Sequence, residues 1–432
     1  MNAARPPTDG ALRASFMAGT MLGRETAAPD PADVYTGLFL RMRGPAPSLE
    51  TLRAWVADRI ADIPVLTHRP VWAGGRAWWE PVPDLDVARH VLPMPEPDPA
   101  PRPAHALLGR PEDAAPRWRL WLHGDGATGW ALTYLTHHGA QDGTAVLCTL
   151  DALLGPLHPA RHPGRPAVPP GRRWPGPAVA AGVLTACDQM LGSLVPAVRR
   201  PLPDPAGRPR PRLAHAAVDL ALLRGAARAA DTTVNAVYLA ALAGALRDWG
   251  PGGHAVRPYL RRGPYVLMPV DFRRPGEPGC LNPGDNRFAM LRVPLPCADP
   301  DPAGRLLAVG ATLDRRRLAR RRAGLRVLTE HVPEAVAARL LARTADPARV
   351  AMAASYLRVP AQLTALGARI EEAVFIPWLP PRHVCLCILG THRGTARLSA
   401  LADPRAGDPE RLVRRWAREV ADLPGADRPR LG

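Results

Sequence analysis

Residues 130–143 of the chain read WALTYLTHHGAQDG. The segment Trp130–Thr136 is nearly all apolar or β-prone, which predicts a strand buried on both faces of a sheet. The residues that follow, Thr144–Leu154, predict a helix. The polar residues from His137 to Gly143 are therefore predicted to form a loop between a buried strand and a helix. Side chains at such a strand end face a cleft more readily than a core.

This loop carries two adjacent histidines and, four residues after the second, an aspartate followed by a glycine. A chance match at these four positions is rare in a chain of this length. His138 is the candidate general base, because imidazole titrates near neutral pH and can take a proton from an attacking hydroxyl or amine. A thioester donor suits this chemistry, because a thiol leaves readily and no nucleophilic serine or cysteine is needed.

The other residues of the loop have predicted supporting roles. Asp142 can pair with an arginine, for which Arg273 is one candidate, or accept backbone N–H groups and so organise the loop. Gly143 can adopt a positive φ or let a substrate approach closely. His137 is predicted to pack or to hydrogen-bond, and the alternative interpretation is that both histidines are structural. A metal site is not predicted, because no further ligand lies nearby in the sequence.

The chain is long enough for two domains, because single hydrophobic cores stop growing at about 250–300 residues and this chain has 432. Two stretches rich in proline and arginine flank an apolar segment at 177–198, which is predicted to be a packed helix rather than a membrane span. We predict an N-terminal lobe over residues 1–170, a connector over 171–211 and a C-terminal lobe over 212–432.

Apolar periodicity predicts strands and helices in both halves. The predicted strands are 35–43, 118–123, 130–136, 212–220, 265–270, 288–293, 372–376 and 383–389. The predicted helices include one capped by Ser48 and those at 144–154, 222–230, 234–249, 305–322 and 411–421, with Asp231 or Thr232 as the cap of helix 234–249. This mixture predicts an α/β (α+β) fold with mixed sheets.

The chain is strongly basic, with 56 arginines, no lysine and 39 acidic residues, for a net charge of +17. This excess favours anionic partners such as a nucleotide-bearing thioester, an acidic carrier protein or a membrane surface, unless it is only a solvated surface. Nucleic acid is not predicted, because the arginines are scattered and no nucleic-acid-binding signature is present. The six cysteines are far apart except for Cys385 and Cys387. This spacing and the lack of a secretory signal predict a cytoplasmic protein, with peripheral membrane contact as an alternative.

The His137–Gly143 segment resembles the HHxxxDG signature of the condensation-domain (chloramphenicol acetyltransferase-like) acyltransferase superfamily. Within it, the chain looks most like the wax ester synthase/diacylglycerol acyltransferase family. The likeness covers most of the chain and extends to Arg110-Pro111, Trp118, Thr233-Val234-Asn235, Met268-Pro269-Val270, Asn286-Arg287, Val293-Pro294-Leu295-Pro296, Ser355 and Pro360. The chain departs from the family at Ala236, where Asp is usual, at residues 356–359, and near residues 28–36, which lack the usual Pro-Met-His pattern.

The resemblance implies two chloramphenicol-acetyltransferase-like lobes, each a mixed sheet packed with helices, and an active-site tunnel at their interface. It implies that His138 is the base and that Asp142 is structural. Candidate substrate-binding residues are Asn286, Ser355 and Asn235, whose alternative roles are a turn cap, a turn residue and a helix cap.

The expected function is that of an acyl-CoA-dependent O-acyltransferase, with acyl-CoA as co-substrate, a small-molecule alcohol or amine as acceptor, and no metal or other cofactor. One alternative is a stand-alone condensation enzyme that forms an amide or ester with a substrate bound to an acyl carrier protein in specialised metabolism. Another is a non-catalytic binding protein of the same fold. The departures from the family affect the predicted lipid substrates more than the predicted chemistry.

Overall fold

A computed structural model describes residues 8–27, 30–94, 100–109, 114–124, 129–156, 209–249, 263–273, 281–284, 286–331, 345–380 and 382–426, with the isolated residues 180, 184, 336, 339 and 343. Most of the predicted connector over 171–211 therefore lies outside the described residues, as does Arg110-Pro111. The elements given below belong to the described part.

The strands are β1 Leu12–Arg13, β2 Tyr35–Arg43, β3 His68–Ala73, β4 Arg76–Pro81, β5 Val91–Pro93, β6 Trp118–His123, β7 Gly129–His137, β8 Arg212–Asp219, β9 Tyr265–Asp271, β10 Phe288–Pro294, β11 Met352–Arg358, β12 Thr364–Ala365, β13 Ala368–Ile376, β14 Cys385–His392 and β15 Thr395–Ala402. The α-helices are α1 Phe16–Ala27, α2 Leu49–Arg59, α3 Pro64–Thr67, α4 Gly143–Leu154, α5 Leu220–Ala229, α6 Val234–Leu246, α7 Pro302–Thr312, α8 Arg315–His331 and α9 Pro409–Ala421. The mixed α/β class predicted from the sequence is confirmed.

The described residues form two compact units. Unit 1 contains those within 1–168, 274–287 and 359–378, and unit 2 contains those within 169–273, 288–358 and 379–432. The predicted lobes are continuous in sequence, whereas unit 1 takes two segments from the second half of the chain. The segment at 359–378 belongs to unit 1 because β13 pairs along β2, from Ile370 opposite Met42 to Ile376 opposite Gly37.

Unit 1 is built on a six-stranded mixed sheet in the order β12-β13-β2-β7-β6-β5, beside a three-stranded sheet in the order β1-β4-β3. Strand β7 lies between β2 and β6 and is buried from Trp130 to His137, which confirms the prediction of a strand covered on both faces. The register places Tyr35 of β2 directly opposite His137 at the end of β7. The sheet therefore fixes where the histidine pair leaves it.

Unit 2 contains the second six-stranded mixed sheet, in the order β10-β9-β11-β14-β15-β8. Strand β11 is parallel to both of its neighbours, β9 and β14, and the other pairs are antiparallel. Helix α6 is buried from Ala236 to Leu246, because its alanines and leucines leave no polar face. It packs in the core of this unit together with α7 and α9.

Two local predictions in unit 2 are wrong. The cap of α6 is Thr233 rather than Asp231 or Thr232, because the Thr233 hydroxyl accepts a hydrogen bond from the Ala236 backbone N–H at 3.2 Å. The single predicted helix at 305–322 is two helices, because α7 ends at Thr312 and Asp314 accepts the Arg317 N–H near the start of α8. The spacing of apolar residues in the sequence does not reveal a break as short as the one between α7 and α8.

In the part of the chain that the structure describes, no single helix is long and apolar enough to span a membrane. Helices α5 and α6 meet that test of length and composition only as a pair, and they are bent by 101° relative to each other. The apolar segment at 177–198 lies outside the described residues, except for residues 180 and 184.

Candidate active site

The motif loop, residues 138–142, connects β7 to α4 by a tight turn. The His138 N–H donates to the Val34 carbonyl at 2.9 Å, and the Ala140 N–H donates to the His137 carbonyl at 2.9 Å. Gly139 must be small, because a Cβ atom there would lie 2.9 Å from the His137 ring and 3.0 Å from the Met21 Cβ. The backbone thus turns sharply where the strand ends.

Asp142 joins the motif loop to α4 as the N-cap of this helix. One carboxylate oxygen accepts the Ala145 N–H at 2.9 Å, and the other accepts the Arg287 N–H at 3.2 Å. The side chain is buried, and it places a negative charge at the positive end of the helix dipole. The carboxylate therefore fixes both the start of α4 and a segment 145 residues away.

His138 is half-buried, and its ring has a defined tautomer. Its Nδ1 lies 3.1 Å from the Gln141 carbonyl oxygen, which can only accept a hydrogen bond. The neutral ring therefore carries its proton on Nδ1 and a lone pair on Nε2. The Trp378 ring packs against this imidazole, with centroids 5.1 Å apart and planes at 40°.

The surroundings of His138 favour its neutral form. Burial lowers the pKa of the imidazole below its ordinary value, and the charge of Arg24 lowers it further. The Asp142 charge and the Gln141 carbonyl act in the opposite direction and raise this pKa, but the net shift is downward. The ring is therefore neutral at pH 7, as a proton acceptor must be.

His137 is fully buried and has a different role from His138. Its Nδ1 accepts the Gly139 N–H at 2.9 Å, and the Tyr35 ring meets its ring edge-on at a centroid distance of 5.5 Å. Burial lowers the pKa of His137 to about 3. Because Nδ1 already accepts a backbone hydrogen bond, this ring packs and supports the turn.

Gln141 is a part of the site that sequence reasoning missed. Its side-chain oxygen accepts the Tyr134 hydroxyl at 2.6 Å, and its amide donates to the Thr149 hydroxyl at 2.5 Å. These bonds to β7 and α4 hold the residue whose carbonyl orients His138. Position 141 is one of the variable positions of the HHxxxDG signature, and nothing in a single sequence indicates that Tyr134 and Thr149 both bond to it.

A segment distant in sequence, residues 284–287, also holds the motif loop. The Gly284 N–H donates to the Ala140 carbonyl at 2.8 Å, and the Asn286 amide donates to the carbonyls of His138 at 2.9 Å and Gly139 at 3.2 Å. Gly284 has φ +75°, and a Cβ atom there would lie 2.6 Å from the Trp79 indole nitrogen. Only glycine suits this position.

The amide of Asn286 is fixed by its two carbonyl partners, so its oxygen points elsewhere. That oxygen, Oδ1, is buried, and none of the described residues forms a hydrogen bond with it. The amide N–H groups of Asn286 are already used on the motif loop. The group that Asn286 has left for a ligand is therefore an acceptor.

We predict that Asn286→Asp lowers kcat by about 10-fold, because a carboxylate cannot donate to the two loop carbonyls. A shift of the motif loop smaller than 1 Å is enough for this loss, since a misplacement of about 1 Å costs about 100-fold. Asn282→Ala, four residues earlier in the same segment, is the matched control and should retain activity. Steady-state acyl transfer and thermal unfolding measure the effects. An Asn286→Asp enzyme with unchanged kcat would show that the amide bonds do not position the loop.

The other predicted site residues lie in unit 2. The Asn235 amide donates to the Met268 sulfur at 3.1 Å, and its buried oxygen accepts no hydrogen bond within the described part of the chain. Ser355 is not in a turn: it lies in the middle of β11, opposite Ile388, because this segment is a parallel strand. Arg273 pairs with Asp271 at 3.3 Å instead of Asp142. Among the residues described, no three His, Cys, Asp or Glu side chains form a metal-binding group.

Residues 284–423 match the family described as the WS/DGAT C-terminal domain. Among curated proteins, a probable diacylglycerol O-acyltransferase of Mycobacterium tuberculosis is 26% identical over 319 residues, and a putative diacylglycerol O-acyltransferase of Mycobacterium bovis is 27% identical over 314 residues. Each alignment covers 65% of this chain and 65% of the relative. The chain thus spans less than two-thirds of the length of these relatives.

Two solved structures show the same fold at low sequence identity. The wax ester synthase/diacylglycerol acyltransferase from Marinobacter aquaeolei VT8 has a TM-score of 0.57 and 16% identity, over 90% of this chain and 94% of that chain. The first condensation domain of the CDA synthetase has a TM-score of 0.63 and 17% identity, over 96% of this chain and 97% of that chain. The match at 284–423 begins at the segment that holds the motif loop.

Proposed function

We propose that this chain is an O-acyltransferase of the wax ester synthase/diacylglycerol acyltransferase kind, which moves an acyl group from acyl-CoA to an alcohol. Its similarity to the WS/DGAT C-terminal domain over residues 284–423 and to diacylglycerol O-acyltransferases supports this proposal. The half-buried His138 ring carries this proposal. Its Nδ1 proton is donated to the Gln141 carbonyl, and the neutral ring keeps its lone pair on Nε2.

In the proposed reaction, His138 Nε2 takes the proton of the acceptor hydroxyl as the alcohol oxygen bonds to the thioester carbonyl carbon. The tetrahedral oxyanion then collapses, the carbon–sulfur bond breaks, and the proton on His138 passes to the departing thiolate. Atoms and charges balance without a metal or other cofactor. The Gln141 carbonyl and the Asp142 carboxylate stabilise the imidazolium that forms between the two steps.

Two further residues are proposed to contact substrates through their side-chain amide oxygens. Asn286 and Asn235 each have a buried amide oxygen that accepts no hydrogen bond from the residues the structure describes. Such oxygens would accept N–H or O–H groups, for example the amide N–H groups of a pantetheine arm. We retain Ser355 as a proposed contact of the same kind, on the strand β11.

We predict that kcat/KM changes little as the pH falls from 8 to about 6.5. His138 is active when neutral, so the rate declines only below its pKa, and that pKa lies below the ordinary value of about 6.5. The measurement is the pH dependence of kcat/KM at constant ionic strength. A decline that begins above pH 7.5 would contradict the assignment of a buried, neutral base.

The direct test of the proposed function is release of free thiol from a panel of acyl-CoA thioesters, with product mass spectrometry. Long-chain alcohols and diacylglycerol serve as acceptors, matched amines test amide formation, and an acyl carrier protein replaces CoA in a parallel series. We expect ester and thiol in equal amounts, dependent on acyl-CoA and alcohol. Product only from carrier-bound donors or only with amines would contradict the proposal in favour of a condensation enzyme, and no product would favour a binding protein.

A further inference from the structure

Glu25 is a largely buried carboxylate that has no role in the proposed reaction. It lies in the last turn of helix α1, where the helix dipole disfavours a negative charge. Only 13% of its side chain is exposed. The stability of α1 therefore does not account for this carboxylate, and its contacts point to another role.

The Glu25 carboxylate joins two segments that lie on either side of the end of β7. One oxygen accepts the Tyr35 hydroxyl at 3.2 Å, and the other lies 3.4 Å from the Arg117 guanidinium. Tyr35 is the first residue of β2, and Arg117 immediately precedes β6. Strands β2 and β6 are the two neighbours of β7 in the sheet, so the carboxylate connects the segments that flank His137, the last residue of β7.

The same two segments hold the backbone of both motif histidines. The Arg117 carbonyl accepts the His137 N–H at 2.9 Å, and the Val34 carbonyl accepts the His138 N–H at 2.9 Å. The Tyr35 ring packs edge-on against the His137 ring, with centroids 5.5 Å apart. The place where the histidine pair leaves the sheet thus depends on the two segments that the carboxylate joins.

The charge of Glu25 matters because its partner is buried. The Arg117 side chain is only 8% exposed, and removal of an opposite charge from a buried cation is strongly unfavourable. A cavity of about 160 Å³ is lined in part by Tyr35 and Arg117. Both side chains therefore have room to move once the carboxylate no longer holds them.

We propose that Glu25 is a positioning residue for the candidate base. Its carboxylate keeps Tyr35 and Arg117 in place, and through them it fixes the end of β7 from which His138 extends. It acts through the backbone of the histidine pair and not by contact with a substrate. This inference rests on the proposed acyl transfer, in which His138 is the base, and it adds a residue that lies outside the motif.

Glu25→Gln tests the proposal, because it keeps the length of the side chain and removes the charge that pairs with Arg117. We expect kcat for acyl transfer to fall about 10-fold, since a misplacement of about 1 Å costs about 100-fold and a smaller shift is enough. KM for both substrates should stay within about twofold, because a positioning residue does not add to their binding. The matched control is Glu372→Gln, which breaks a 3.0 Å ion pair with Arg41 further along β2 and should keep kcat.

A double variant separates the position of the loop from the cost of a buried charge. Glu25→Gln/Arg117→Met removes both charges, so it should regain thermal stability that Glu25→Gln loses. We expect its kcat to remain low, because nothing connects the two segments. A kcat that recovers in the double variant would overturn the proposal, since the unpaired charge alone would then explain the loss. A normal kcat in Glu25→Gln would overturn it as well.

NMR of the histidine rings tests the inference without turnover. In protein labelled with ¹⁵N at histidine, the His138 signals are those that His138→Ala lacks. We expect the Nδ1–H tautomer in the wild type and in Glu372→Gln, and a mixture of tautomers in Glu25→Gln, because a displaced ring loses part of its bonding to the Gln141 carbonyl. A mixture supports the role of Glu25 even if no acyl transfer is found. Equal tautomer populations in wild type and Glu25→Gln overturn it, even if the wild type transfers acyl groups efficiently.

Discussion

Replacement of His138 by alanine is expected to lower kcat/KM for acyl transfer by about 100- to 10,000-fold, the range that a positioned general base contributes. The thioester still supplies a good leaving group, but the acceptor hydroxyl loses its proposed proton acceptor. His137 does not replace His138, because its Nδ1 accepts the Gly139 N–H and burial lowers its pKa to about 3. Thiol release and ester formation measure the loss.

The His138→Ala variant should fold normally. The motif loop remains held by Gln141, Gly284 and Asn286, whose hydrogen bonds do not involve the imidazole. Circular dichroism and thermal unfolding check this, and His215→Ala in β8 of unit 2 is a control expected to keep full activity. Unchanged turnover in His138→Ala would remove the mechanism and leave only the fold.

The second large effect is expected at Asp142. Asp142→Ala removes the cap of α4, which costs about 1 kcal/mol, and leaves the Arg287 N–H without its acceptor, which costs about 1 kcal/mol or more. The start of α4 and the segment at 284–287 then lose their common anchor. Because a displacement of about 1 Å in the motif loop is enough, we expect kcat to fall by about 100-fold.

Asp142→Asn separates the two roles of this carboxylate. Asparagine caps helices as well as aspartate does, so α4 should keep its stability. Its amide nitrogen would meet the Arg287 N–H as a second donor, so kcat should still fall. Asp301→Ala is the matched control, since Asp301 caps α7 through both oxygens, and it should lower the melting temperature without lowering kcat. Full activity in Asp142→Asn would contradict a positioning role.

Much of unit 1 around the site could be predicted from local sequence. The apolar run before His137 is long enough to show a strand covered on both faces, and Asp142 stands where a helix must begin. Both features depend on residues that are close together in the sequence, so a single sequence is enough to predict them.

The contacts that hold the motif loop from outside could not be predicted in this way. Gly284 and Asn286 form hydrogen bonds with the motif loop, from which they are separated by nearly 150 residues. Periodic patterns in a sequence indicate local structure and do not predict contacts between segments so far apart. The discontinuous course of unit 1 has the same origin, because β13 returns to pair with β2. Ser355 was placed in a turn by resemblance, whereas its β-prone neighbours, including Tyr356 and Leu357, form a strand between β9 and β14.

The helix ends show a smaller limit of the same kind. Asp231, Thr232 and Thr233 are all good caps by residue type, and only the backbone decides among them. Asp231 has φ +44°, so it belongs to the turn before the helix rather than to the cap. Thr233 has extended backbone angles and bonds to Ala236. Composition alone cannot rank three adjacent candidates.

Whether His138 accepts a proton or the acyl group itself is best measured in a single turnover. Excess enzyme is mixed with acyl-CoA, first alone and then with the acceptor alcohol, and intact-protein and product mass spectra are recorded through the reaction. We predict that the ester appears at the same rate as free thiol, that no acylated protein forms with acyl-CoA alone, and that His138→Ala produces neither. An acyl adduct on His138 that forms before the ester would contradict the general-base assignment.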